Sequence, residues 1–241
     1  MIGSSFKKPR LLLLGSGELG KELVIEAKRL GCEVIALDKY EGAPAMQVAD
    51  EFHILDMKNK EVMKKIITEI NPDYVIPEIE ALSVEALKEM ELTGFNIVPN
   101  ARTVEMTMNR DKIRDLAADV LQIRTAKYRY VFNYEYLREK SLEIGFPLLI
   151  KPLMSSSGKG QSIVADENSL SDAWQNAISN SRGNVNGVIL EEFIEFDYEF
   201  TLLTVRTVAG DNIFCLPIGH EQVNGDYQCS WQPLPMDLDI Y

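Results

Sequence analysis

The first group of residues that could do chemistry is a glycine-rich turn near the start of the chain. Gly15, Gly17 and Gly20 follow the apolar run at residues 11–14, which has the length of a buried strand. Glycines at this spacing allow a tight turn and let an anion approach the first amides of a helix. With Asp38 about twenty residues further on, the pattern fits a dinucleotide-binding fingerprint and so an NAD(P)-binding oxidoreductase. The same turn also serves other anionic ligands, so the choice stays open.

The second group lies in the middle of the chain, where a lysine precedes a flexible loop. Lys151 ends the apolar segment 148–152, and an ammonium there is costly unless an anion meets it or the side chain reaches water. Residues 155–161 are rich in serine and glycine and carry Lys159, which suits the wrapping of backbone amides around phosphates. The P-loop pattern is absent. We interpret this segment as a polyphosphate site, with a plain hairpin loop as the alternative.

Three acidic residues follow a further apolar strand. Glu191 and Glu192 end the segment 188–192, where backbone groups could pair with the edge of an adenine ring. Glu199 lies in an alternating segment and could accept hydrogen bonds from two ribose hydroxyls. Solvated carboxylates at strand ends are the alternative interpretation, and the pattern does not separate the two.

The elements that must position these residues differ between the two halves of the chain. In the first hundred residues, apolar strands alternate with single helices, which predicts a doubly wound parallel sheet. The carboxyl ends of parallel strands meet at one edge, so residues 15–20, 38–40 and 78–80 should lie along the same rim. The expected strands are 11–14, 33–37, 74–77 and 96–99.

The pattern in the second half of the chain predicts an α+β domain built on antiparallel strands. Asn100 should cap a helix that continues to about Asp119, and a long strand is expected at 198–208. We place the boundary near residues 107–112, which predicts domains at 1–110 and 111–241.

Composition limits the classes of function. The 241 residues include 25 basic and 37 acidic side chains, and the net charge of −12 argues against a nucleic-acid-binding surface. No apolar run approaches the roughly 18 residues of a membrane-spanning helix. The three cysteines are too scattered for a disulfide framework or a zinc site. We therefore expect a soluble cytoplasmic protein without nucleic-acid or membrane partners.

Several of these segments together resemble the ATP-grasp superfamily, namely I-K-P, then S-S-S-G-K-G, then L-E-E-F. Within it, the chain closely resembles the formate-dependent phosphoribosylglycinamide formyltransferases of purine biosynthesis, from about residue 11 to 233. The motifs that carry this likeness are G-S-G-E-L-G-K-E, A-P-A-M, P-E-I-E-A, M-N-R, K-P-x-M-S-S-S-G-K-G-Q, P-I-G-H and G-D-Y-x-x-S-W-Q-P. Carboxylases that act on aminoimidazole ribonucleotide share the early glycines and are the nearest alternative.

The resemblance implies a pre-ATP-grasp domain followed by an ATP-grasp domain, and an enzyme that uses ATP and Mg²⁺ to formylate glycinamide ribonucleotide with formate through formyl phosphate. It implies that the substrate is bound by Glu18, Leu19 and Glu78. The residues that it assigns to ATP are Arg110, Lys151, Ser156, Ser157, Gly158, Lys159, Gly160, Gln161, Glu191, Glu192, Phe193, Ile194 and Glu199.

The chain departs from the family pattern in one respect. Family members continue well past Tyr241, and the part beyond carries the acidic magnesium ligands and a domain that holds the substrate phosphate. We therefore expect an incomplete ATP-grasp domain here and metal ligands outside this chain. On that view the 241 residues bind nucleotide weakly and do not catalyse alone. The resemblance also suggests a homodimer.

Overall fold

The chain forms two compact units in the computed structural model, which describes residues 7–153, 159–181, 187–223 and 226–237. The first unit is Met1–Ile113 and the second is Arg114–Tyr241. The sequence suggests two domains that meet at residue 110. That boundary remains a prediction. Among the helices of the described part, none has both the length and the apolar character needed to cross a membrane.

The first unit is built on a four-stranded parallel sheet. Its strands stand in the order β3-β2-β1-β4, and every neighbouring pair is parallel. The elements in chain order are β1 (Arg10–Leu14), α1 (Glu18–Arg29), β2 (Glu33–Asp38), β3 (Glu51–Ile54), α2 (Lys60–Ile70), β4 (Tyr74–Pro77), α3 (Val84–Leu92) and α4 (Ala101–Met108), with a short 3-10 helix at Pro44–Gln47. The predicted doubly wound sheet is confirmed.

Apolar packing on both sheet faces explains why the central strands read as continuous hydrophobic runs. Leu12 and Leu14 pack in the same cluster as side chains of α2, α3 and α4, whereas Leu13 packs with Val24 of α1 on the opposite face. Burial of both faces removes the alternation of polar and apolar residues that a half-exposed strand would show. All three of these leucines are fully buried.

The fourth strand of the sheet is not the one that the sequence predicts. Residues 96–99 form no strand, and only Ile97 makes an isolated parallel bridge to Val75. The proline at position 99 has no N–H to extend that pairing. The fourth strand is instead β3, which was missed because it is a largely exposed edge strand without an apolar run.

The predicted helix from Asn100 begins as expected but is not continuous. The Asn100 side chain accepts a hydrogen bond from the Thr103 amide at 2.8 Å, which confirms the cap. The helix ends at Met108 because Asn109 adopts an extended conformation, and the Asn109 side-chain amide donates to the Glu105 carbonyl at 2.8 Å. A separate helix α5 (Arg110–Asp115) and one π-helical turn, Leu116–Val120, follow.

The second unit is built on a four-stranded antiparallel sheet in the order β5-β8-β6-β7. Its elements are β5 (Tyr128–Val131), α6 (Tyr134–Ile144), β6 (Leu148–Pro152), β7 (Ser162–Val164), α7 (Leu170–Ser179) and β8 (Val188–Glu192). Residues from α6 and α7 form one core with Leu148, Ile150 and Leu190. Alternate side chains of a strand point to opposite faces, so Leu149, Lys151 and Glu191 lie on the other face.

Two smaller sheets complete the described part of the second unit. They contain β9 (Phe200–Thr201), β10 (Thr204–Arg206), β11 (Asn212–Phe214), β12 (Ile218–Val223) and β13 (Asp226–Trp231). The expected single strand at 198–208 is wrong, because β9 pairs with β12 whereas β10 pairs with β11. Large apolar side chains in this region, such as Phe196, Val205 and Phe214, are more than half exposed.

The backbone at Gly160 generates a test of the second unit. Its φ of +76° disfavours any side chain, and a Cβ there would lie 2.7 Å from Pro152 Cγ and 3.0 Å from Asn180 Cβ. We expect Gly160→Ala to lower the free energy of unfolding by about 2–4 kcal/mol, the sum of backbone strain and overpacking. Gly210 has a φ of +97° but nothing within 4 Å, so Gly210→Ala should cost only about 1–2 kcal/mol. Urea unfolding checks both variants, and equal losses would contradict the close contact at Gly160.

Candidate functional site

The glycine-rich turn is held in place from within the first unit. The Ser16 amide donates to Asp38 Oδ2 at 2.9 Å, and the Lys39 amide donates to Asp38 Oδ1 at 2.7 Å. Asp38 is only 3% exposed. In a dinucleotide site the acid at this position binds the ribose of the ligand. Here both carboxylate oxygens accept backbone hydrogen bonds, and the residue fixes the turn.

A second carboxylate lies directly against the same turn. Glu78 follows β4, and its amide donates to the Leu14 carbonyl at 2.9 Å. A Cβ built on Gly15 would lie 2.6 Å from Glu78 Oε2, and one on Gly17 would lie 3.6 Å from Oε1. Gly15 therefore permits a close approach that any side chain would block. Where the fingerprint predicts a bound phosphate, this protein places an anion of its own.

Burial raises the pKa of Glu78, and the nearby charges of Asp38 and Glu80 add to that rise. The backbone amides of Gly17 and Gly20 oppose the shift, because they stabilise the charged carboxylate. A half-buried carboxylate beside two further acids favours a cationic ligand. At this edge the site is therefore suited to an amine.

The three residues that the resemblance assigns to the substrate lie near this carboxylate. Glu18 and Leu19 start α1 directly after Gly17, and Leu19 is 74% exposed. Because Gly17 faces Glu78, all three residues belong to one end of the parallel sheet. The predicted common rim is thus present, and the assignment of these residues to a substrate stays a prediction.

In the second unit, one buried carboxylate contacts two cations. Glu191 is 3% exposed. Lys151 Nζ donates to its Oε2, and the Arg114 guanidinium donates to its Oε1. The register of β6 and β8 pairs Leu149 with Glu191, which sets Lys151 and Glu191 diagonally on the face opposite the apolar core. The anion that Lys151 needs is therefore supplied by the protein itself.

Sequence reasoning did not assign Arg114 to a site. Its guanidinium lies 5.8 Å from the ring centroid of Tyr128, and Tyr128 is the β5 partner of Glu191. Arg110 and Arg114 are four residues apart on a predicted helix, a spacing that places them on one side. That spacing was the only local signal, because the carboxylate that Arg114 meets lies on a distant strand.

Two tyrosines anchor the end of α5 on this face. Asp115 Oδ1 accepts hydrogen bonds from the hydroxyls of Tyr128 at 2.9 Å and Tyr130 at 2.7 Å. Burial, followed by the hydrogen bond to Asp115, raises the pKa of Tyr128 to about 12. The phenol therefore remains a hydrogen-bond donor at neutral pH. These bonds fix the position from which Arg114 reaches Glu191.

The remaining residues assigned to ATP are only partly described. Ser156, Ser157 and Gly158 lie outside the described residues, as does the side chain of Arg110. Gly160 is buried beside Pro152, the last residue of β6, whereas Lys159 and Gln161 are exposed. The structure thus brings Gly160 close to the strand that carries Lys151.

The acids beyond Glu191 have partners of their own. The Glu192 amide donates to the Lys127 carbonyl at 2.9 Å, and the Lys127 amide donates to Glu192 Oε2 at 3.2 Å. Glu199 accepts a hydrogen bond from the Gln222 side chain on β12. Phe193 and Ile194 follow β8 without regular secondary structure, and Ile194 is 47% exposed. Whether these residues bind adenine or ribose stays a prediction.

A cavity of about 610 Å³ lies along β5, and its lining includes Asp115, Tyr128, Tyr130 and Glu143. Lys151 and Glu191 are not part of this lining. The cavity therefore lies at the edge strand β5, beside the paired charges rather than over them. Within the described part of the chain, no group of three or more His, Cys, Asp or Glu side chains could hold a metal ion.

Comparison with known proteins adds evidence independent of this geometry. Residues 116–240 match the ATP-grasp domain, and residues 10–108 match the ribonucleotide synthetase preATP-grasp domain. A formate-dependent phosphoribosylglycinamide formyltransferase of Prochlorococcus marinus strain MIT 9301 is 71% identical over 97% of this chain. The chain covers 60% of that relative, so it spans about three fifths of the length of the curated relatives that it matches.

Two solved structures are similar to this chain over almost its whole length. Glycinamide-RNase-transformylase T from Mycobacterium tuberculosis is 34% identical with a TM-score of 0.75, and the match covers 95% of this chain and 61% of that one. N5-carboxyaminoimidazole synthetase from Staphylococcus aureus, complexed with ADP, is 19% identical with a TM-score of 0.84 over 96% of this chain and 60% of that one. The second likeness shows the fold alone. Because the ATP-grasp domain accounts for more than half of its residues, the chain belongs to the ATP-grasp family.

Proposed function

We propose that this chain forms the nucleotide- and amine-binding parts of an enzyme that formylates glycinamide ribonucleotide with formate and ATP, in purine biosynthesis. The observation that carries the proposal is the carboxylate of Glu78 inside the glycine-rich turn. It fills with negative charge the place where a dinucleotide would put its phosphates, and it suits the cationic amine of a small substrate. The 71% identity to a relative of that name supports the same activity.

The reaction needs ATP because formate is an anion and a poor electrophile. Transfer of the γ-phosphoryl group to a formate oxygen gives ADP and formyl phosphate, which carries a good leaving group. The amine nitrogen then attacks the formyl carbon, the C–O bond to phosphate breaks, and the nitrogen loses a proton. The protein's contribution is to position the reactants and to stabilise charge.

Two groups of residues would hold the two parts of this chemistry. Glu78, with Glu18 and Leu19, would bind the substrate amine end. Lys151, with Arg110 and the loop 156–161, would hold the ATP phosphates, and residues 191–194 with Glu199 would hold adenine and ribose. The loop would also exclude water from formyl phosphate, which hydrolyses readily.

Mg²⁺ would neutralise phosphate charge when bound. The described residues offer no set of carboxylates that fits the ion, so we assign it no ligand in this chain and no step in the reaction. The remaining partners would be small molecules in the cytoplasm, and a homodimer is the proposed assembly.

A carboxylase that acts on aminoimidazole ribonucleotide is the second candidate, since N5-carboxyaminoimidazole synthetases have the same fold with TM-scores up to 0.85. The stimulating anion separates the two enzymes. In the whole protein, ADP release from ATP and glycinamide ribonucleotide should rise with formate and stay at background with bicarbonate. Stimulation by bicarbonate with aminoimidazole ribonucleotide would favour the carboxylase instead. The same assay on the 241 residues should show no turnover.

Nucleotide titration of wild type and Lys151→Ala tests the phosphate site. Loss of the ammonium should weaken ATP binding by about 10- to 100-fold, because charge-assisted hydrogen bonds to phosphate are removed. Calorimetry with and without Mg²⁺ measures this directly. NAD serves as the comparison ligand. Tight NAD binding that survives Lys151→Ala would overturn the proposal and favour the oxidoreductase.

The pH dependence of substrate binding tests the amine site. The pKa of Glu78 is raised, so its carboxylate gains a proton at a higher pH than an ordinary glutamate does. Affinity for glycinamide ribonucleotide should therefore fall as pH decreases, and the fall should begin above the usual glutamate range. Glu78→Gln should bind weakly at every pH.

Glu80→Gln is the matched control for this experiment. It should keep the pH-dependent step but move it to lower pH, because the charge of Glu80 contributes to the raised pKa of Glu78. An unchanged pH profile in Glu78→Gln would show that another group binds the amine.

A further inference from the structure

The charges around Glu191 do not balance. Arg114 and Lys151 each donate to a different oxygen of this single carboxylate, which leaves the group with a net charge of +1. The carboxylate is 3% exposed, whereas the side chains of Arg114 and Lys151 are 25% and 20% exposed. Both cations are therefore more exposed than the carboxylate that they share, so an anion can reach them, although Asp115 adds a negative charge on the same face.

The two cations differ in how firmly they are held. Lysine carries a compact ammonium on a flexible stem, whereas the guanidinium of arginine is planar and keeps a fixed geometry. Arg114 also contacts the Tyr128 ring, and its neighbour Asp115 accepts hydrogen bonds from two tyrosines. Arg114 is thus the fixed cation of the pair, and Lys151 is the one that can turn away.

A phosphate that takes Lys151 would remove one of the two partners of Glu191. A buried carboxylate that loses its compensating charge is strongly destabilised. That cost would oppose phosphate binding unless another cation stays on the carboxylate. In this structure, Arg114 already occupies the other oxygen.

We propose that Arg114 is a positioning residue of the nucleotide site. It keeps the charge of Glu191 compensated while Lys151 moves from that carboxylate to a phosphate of the nucleotide. The inference rests on the proposed binding of ATP at this face. It assigns Arg114 no contact with the phosphates, and this distinguishes it from a direct ligand.

The test measures the ratio of ATP affinity to adenosine affinity in the 241-residue chain. Arg114→Gln should lower this ratio by about tenfold or more, because Lys151 must then stay with Glu191. Arg114→Lys, which keeps the charge, should recover part of the loss. Arg129→Gln is the matched control, since Arg129 lies on β5 and its ion pair with Glu143 is exposed. It should leave the ratio unchanged.

The ratio also separates this role from a structural one, because a variant that is merely less stable would lose affinity for both ligands alike. Thermal unfolding monitors that loss. If wild type binds ATP and Arg114→Gln keeps the wild-type ratio, the inference is overturned and the proposed function stands. If wild type binds neither ligand, the proposed nucleotide site in this chain is overturned, and the inference with it.

A double-mutant cycle distinguishes a positioning role of Arg114 from a direct contact with the phosphates. In the Glu191→Gln background no buried charge needs compensation, so adding Arg114→Gln should change the ratio little. An equally large loss in that background would mean that Arg114 contacts the phosphates itself, and it would refute the positioning role.

Discussion

The open face of the second unit depends on one interaction, the pairing of buried Glu191 with two cations. A carboxylate that is 3% exposed is costly unless charged partners meet it, so the fold must deliver both of them. The antiparallel register of β6 and β8 delivers Lys151, and α5 delivers Arg114. The same arrangement places two cations on the face that the apolar core leaves free. Under the proposed function, Lys151 would serve both as a partner of Glu191 and as a ligand of the nucleotide phosphates.

The glycine-rich turn of the first unit has a carboxylate beside it, which is the opposite charge to the cations on the sheet face of the second unit. Its glycines and parallel strands have the geometry that elsewhere admits the phosphates of a dinucleotide. Asp38 accepts the backbone hydrogen bonds that fix the turn, and the carboxylate of Glu78 lies directly against it. Under the proposed function, this architecture would take a cationic amine instead of a phosphate, because the carboxylate of Glu78 adds negative charge at the turn.

Sequence patterns located elements wherever the signal was local. Asn100 accepts a backbone hydrogen bond at a helix start, as the sequence predicts, and the structure shows the same cap at Asn59 and Asn133. The failures have a shared cause. The edge strand β3 and the separation of β9 from β10 depend on which strand each segment pairs with, and pairing leaves little trace in a short exposed segment.

The sequence by itself determined the class of fold, the glycine turn, the strand that ends at Lys151 and the acids that follow β8. These features depend on residue type and short-range spacing, so one chain suffices to identify them. Only the tertiary structure decided what each charge meets. Lys151 and Glu191 are separated by 40 residues, and Arg114 and Glu191 by 77. Such contacts follow from strand register and helix placement, and these are set by the burial of the whole core rather than by any local pattern.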